Sequence, residues 1–82
     1  MPTILRIGGY RFFFFSNEGK EYPHVHVERG DQFAKFGLEP VRLMRSVGFN
    51  LKELNQLGKI VEEHEKFFRE KWHEHFAGKK RA

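Results

Sequence analysis

The chain has 82 residues, ten of them Phe and none Cys, with 32 % charged residues and a formal net charge of +4. That length supports one domain with one core, and it excludes an active site built between domains, a nucleotide-binding α/β fold, disulfides, thiolate metal sites and a cysteine nucleophile. The longest apolar run, Phe12 to Phe15, is too short to cross a membrane, and no basic stretch followed by an apolar one opens the chain, so a cytoplasmic location without membrane attachment is expected.

In chain order, Thr3 to Ile7 reads as a β-strand, and Gly8-Gly9 as a two-residue hairpin turn, because glycine accepts the positive φ such turns need. Tyr10 to Phe15 follows as a second strand with Phe on both faces, which predicts a strand covered on both sides. Asn17 to Lys20 has turn chemistry, and Pro23 restarts extended chain. A third strand, His24 to Glu28, sets Val25 and Val27 on one face and His24, His26 and Glu28 on the other. Arg29-Gly30-Asp31, which also spells an adhesion triplet, reads as a turn into a fourth strand, Phe33 to Leu38. Val41 to Met44 is a candidate short fifth strand, and loops this short require antiparallel pairing.

Asn50 and Glu53 have the spacing of a capping box, so a helix is expected to start there. Apolar positions from Leu51 to Phe76 keep a helical period, with Glu62–Lys66 and Glu65–Arg69 as flanking i,i+4 pairs and Gly78 as a candidate end. The expected fold is therefore α+β in a single domain over 1–82: a β-rich part over 1–49, one long amphipathic helix over 50–77 and a basic tail over 78–82. Such a helix, about 39 Å long, would outrun a globule about 30 Å across. It must then either break near Gly58 or project. A projecting end would carry Phe67, Phe68, Trp72 and Phe76 and need a homodimer or a small partner protein to cover them.

The residues with the most chemical content are His24 and His26. Alternate strand residues stand about 6.6 Å apart on one face, so the two imidazoles suit an acid–base pair on a phosphate, a metal pair completed by Glu28, or packing within the sheet. Arg6 and Arg11 flank the glycine turn and form a candidate phosphate clamp, against the alternative of solvated strand-edge charges. His64 and His75 lie in the apolar arc of the helix and are expected to bond backbone carbonyls; His73 and His75 point too far apart to chelate one ion. No cofactor is expected. The helical residues 51–77 carry a net charge of −1, so the cationic excess belongs to the strands and the tail. That excess admits RNA or an acidic protein as a partner.

Met1-Pro2-Thr3-Ile4 with Arg6, Gly9 to Glu18, and Pro23-His24-Val25-His26-Val27 together resemble the pattern of a small prokaryotic family without established function. The likeness continues through Ala34-Lys35-Phe36 and Leu38-Glu39-Pro40, with Tyr22-Pro23 where members often have two prolines. The resemblance implies a toxin–antitoxin-like gene pair. It gives the leading expectation, a toxin-like component acting on RNA through His24 and His26 with Arg6 and Arg11 on the phosphate. The alternatives are a non-catalytic, antitoxin-like or regulatory interaction subunit that binds a partner from a neighbouring gene, and a metal-binding module.

Overall fold

Five strands lie in one antiparallel sheet in the order of the sequence: β1 (Thr3–Ile7), β2 (Tyr10–Phe13), β3 (His24–Arg29), β4 (Gln32–Leu38) and β5 (Val41–Val47). Two helices follow, α1 (Leu51–Glu63) and α2 (Glu65–Lys80). This computed structural model describes residues 3–14 and 22–80, with side chains as far as Phe76. The expected turn at Asn17–Lys20, Phe15 and the last two residues of the tail lie outside the described residues.

The hairpins follow from turn chemistry. Gly8 and Gly9 have φ of 52° and 88°, the two positive values of a twist-matched turn, and they pair Ile7 with Tyr10. Gly30, at φ 59°, opens the next turn and pairs Arg29 with Gln32, so the Arg-Gly-Asp triplet is a hairpin turn here. The fifth strand is real and longer than expected, reaching Val47.

One face of the sheet holds Phe12, Val25, Val27, Ala34, Phe36 and Leu38, all buried against Leu57 and Val61 of α1 and Phe68, Trp72 and Phe76 of α2. The helices therefore cover the valine face, not the histidine face. Phe12 meets Phe68 at 5.4 Å between ring centroids, and Phe14 meets Trp72 edge-on at 5.2 Å. Among the described residues no helix is long and apolar enough to cross a membrane.

The single long helix is corrected to two. The break falls at His64 rather than near Gly58. Gly58 stays helical, and a Cβ there would meet the Phe36 ring at an ordinary contact distance of 3.9 Å. His64 leaves helical geometry at φ −110°, ψ 16°, and its Nδ1–H donates to the Ile60 carbonyl at 2.9 Å, the backbone bond expected of this histidine. The His64 carbonyl then accepts from the Phe68 amide at 2.9 Å, so helical bonding resumes at once. Packed on the sheet, Phe68, Trp72 and Phe76 are 0 %, 3 % and 4 % exposed, and Phe67 is half-buried. Of the expected interface stripe, Phe68, Trp72 and Phe76 belong to the core and Phe67 packs against it. Helix α2 also runs past Gly78 to Lys80, so that glycine does not end it. The expected Glu65–Arg69 pair is formed at 3.3 Å.

Candidate functional site

The second face of the sheet carries most of the strands' charge. Pairing places Arg6 opposite Arg11, Arg11 opposite Glu28, Phe13 opposite His26, and His26 opposite Lys35. Lys35 pairs with Arg45, and Gly37 with Arg42. Paired residues share a face, so Arg6, Arg11, Lys35, Arg42 and Arg45 stand on one side with the single strand carboxylate of Glu28. Two irregularities in register make this possible. Arg42 and Arg45 are three residues apart and would face opposite ways in a regular strand. A bulge at Met44 turns both to the same face, and an irregularity between Thr3 and Leu5 does the same for Thr3 and Arg6. Met44 and Arg42 lie over Gly37, where a Cβ would meet the Met44 Sδ at 3.4 Å and the Arg42 Cγ at 3.6 Å. Both helices pack on the other face, and α2 reaches this one at the strand end, where Trp72 meets the His24 ring.

The structure brings His24 and His26 together, with ring centroids 5.1 Å apart and edge-on. It also shields them: they are 1 % and 3 % exposed. The His26 ring is stacked between Phe13 at 5.4 Å and Phe33 at 5.5 Å. The His24 ring lies 5.0 Å from Trp72, and its Nδ1–H donates to the Tyr22 carbonyl at 2.7 Å. His24 begins β3, two residues before the Phe13 pairing with His26 ends β2, and at that strand end its ring reaches the helix residue. Both histidines thus sit in an aromatic layer that ties the open face to the core.

Arg6 and Arg11 are brought side by side as expected, but they differ. Arg6 is exposed. Arg11 is held by three groups: its Nε–H donates to Thr3 Oγ1 at 2.7 Å, its Nη1 reaches Glu28 Oε1 at 2.6 Å, and its guanidinium lies 4.6 Å over the Phe13 ring. Glu28 is therefore an ion-pair partner, and among the described residues no three His, Asp or Glu side chains converge as a metal set would. His75 packs on Phe76 at 4.7 Å and near Phe14 at 6.1 Å, while His73 is exposed.

The family model for a domain of unknown function, DUF4160, matches residues 9–73. This chain belongs to the DUF4160 family. No curated protein and no solved structure matches it. The DUF4160 match runs from the first hairpin turn into α2, so it contains the histidine pair, Arg11, Lys35, Arg42 and Arg45, whereas Arg6 precedes it.

In this DUF4160 chain the polar centre that sequence reasoning missed is Arg29. It follows Val25 and Val27 on the covered face, a position where a lone cation is costly, and alternation alone could have marked it. Its guanidinium pairs with Glu53, donates to Gln32 Oε1 at 3.0 Å and Tyr10 Oη at 3.2 Å, and lies 4.9 Å over the Tyr10 ring. Glu53 is also the third residue of the capping box: its amide donates to Asn50 Oδ1 at 2.8 Å, and its carboxylate accepts from the Asn50 amide at 3.0 Å. The Asn50 amide first, and then Arg29, hold the Glu53 carboxyl below the ordinary carboxylate range. One carboxylate thus starts α1 and fixes it to the β3–β4 hairpin.

Proposed function

We propose that the chain is an RNA-binding domain that lays a single-stranded phosphate backbone across the open face of its sheet. The observation that carries this reading is the gathering of Arg6, Arg11, Lys35, Arg42 and Arg45 on that face, with Glu28 the one strand carboxylate there among the described residues. Phosphate contacts by cationic side chains supply sequence-independent affinity for nucleic acid. Arginine adds a planar fork that matches phosphate oxygens. Half-buried Phe33, beside these cations, offers an aromatic edge to a base. The test is fluorescence anisotropy with a labelled RNA oligonucleotide over a salt series. Binding should weaken steeply with salt, and Arg42→Glu with Arg45→Glu should weaken it by about tenfold or more. Binding indifferent to salt and to both substitutions rejects the reading.

A second reading has the same face cut the RNA it holds, as a toxin-like component of a two-gene module would. What favours it is the approach of the His24 and His26 rings on that face. It requires a phosphate to come within hydrogen-bond reach of imidazoles now packed among Phe13, Phe33 and Trp72. Incubation of end-labelled RNA with the purified protein decides. Cleavage lost in the His24→Ala, His26→Ala double variant, with binding retained, supports it. Binding without cleavage leaves a non-catalytic module.

A further inference from the structure

The sheet has two edges, and they are finished differently. On β1 the apolar side chains Ile4, Leu5 and Ile7 pack against the core. On β5 Val41 does the same, but the apolar side chains after it stay open: Leu43 and Met44 are 44 % exposed and Val47 is 50 % exposed. The four residues Arg42 to Arg45 are all exposed, and the strand order ends at β5, so alternate amide and carbonyl groups of Val41–Val47 face away from β4 with no strand beside them among the described residues.

We infer that β5 is a docking edge for one kind of partner: an extended segment of another protein with acidic and apolar residues in alternation, added as a sixth, antiparallel or parallel strand. This inference concerns the main-chain edge of the sheet rather than its open face; it shares Arg42 and Arg45 with the RNA-binding reading but does not depend on it. Main-chain hydrogen bonds to an edge strand provide affinity, and side chains at alternate positions provide specificity. On the open side of the sheet the incoming strand meets Arg42 and Arg45, which call for carboxylates. On the helix side it meets Leu43, paired with core residue Phe36, which calls for an apolar residue that extends the core. The same charges work against a second copy of this chain, because β5 beside β5 would set arginines against arginines. The Met44 bulge further discourages indiscriminate pairing.

The probe is a labelled synthetic peptide alternating Glu with Val or Ile, compared with its counterpart carrying Lys for Glu. The acidic peptide should bind saturably, and the Lys peptide about tenfold or more weakly. Arg42→Glu with Arg45→Glu, at positions exposed enough to leave the circular dichroism spectrum unchanged, should invert that preference. Two further peptides, N-methylated at the odd or at the even positions, separate strand addition from mere charge attraction. One set removes the amides that face β5 and should abolish binding, while the other leaves them. Amide chemical-shift changes should fall on Val41–Val47 and spare Thr3–Ile7. Equal binding of the acidic and Lys peptides, equal binding of both methylated sets, or shifts centred on β1 would overturn the inference. So would a concentration-dependent dimer in sedimentation that Arg42→Glu with Arg45→Glu strengthens, since a second copy would then be the occupant.

Discussion

The two faces of the sheet share five strands and differ in what a side chain gains there. On the covered face Phe12, Val25, Val27 and Phe36 meet the apolar stripes of two helices, and Arg29, partly exposed, is held by Glu53, Gln32 and two aromatic rings. On the open face the strand cations outnumber the strand carboxylates, and exposed charges such as Arg6, Arg42 and Arg45 contribute little to folding. Charge kept where it does not stabilise the fold is available for binding. Charge on the covered face is consumed in holding a helix in place.

The comparison breaks first in the core. Phe68→Ala removes a fully buried ring beside Phe12 and should cost about 3–5 kcal/mol, lowering Tm by more than about 12 °C in a calorimetric scan. Arg42→Glu with Arg45→Glu should instead leave stability within about 0.5 kcal/mol at each site while reducing the salt slope of RNA binding by about 1.4. If both variants melted equally early, the open face would be a folding surface after all.

Finer effects belong to the joint between sheet and helix. Asn50→Ala removes the side chain that caps the Glu53 amide and should cost about 1 kcal/mol, seen as a Tm lower by about 4–8 °C. The smallest effect is tied to pH. Because the Glu53 carboxyl is held below its ordinary value in the fold, its contribution is present above the ordinary carboxylate range and is lost as pH falls through the lowered value. Glu53→Gln should flatten that acid limb of a stability-against-pH curve measured by urea unfolding, with little change in its shape near neutrality.

The hairpins and the start of α1 were legible because their signals are local. Gly8-Gly9 and Gly30 supply the φ values that only glycine takes readily, and Asn50 and Glu53 cap each other within four residues. The break at His64 was hidden because apolar spacing persists through it, and no proline or glycine marks the position. The covered face could not be chosen from pattern alone, since β2 carries aromatic rings on both faces and β3 sets valines on one face against imidazole rings on the other. The cationic face was hidden for another reason. Strict alternation separates Arg42 from Arg45, and only the register shift in the paired strands shows that Met44 is the extra residue. A bulge is a relation between two strands, so neither strand's sequence announces it. Pairing of the two histidines on one strand face was legible; their enclosure by Phe13, Phe33 and Trp72 was not, because those rings come from three other elements.

The meander order has a kinetic consequence. Every strand pairs only with its neighbours in sequence, and three of the four links are two-residue turns. Loop closure for those links costs little entropy, so β1–β2 and β3–β4–β5 can each form from nearby chain. The exception is the connection between Phe13 and His24, which is the one long closure the sheet requires. Doubling the length of that connection with a flexible insert should raise the closure cost by about 0.6 kcal/mol and slow folding about threefold, measured by stopped-flow fluorescence of Trp72. The spacing of the turns thus concentrates the entropy of closing the sheet in one loop.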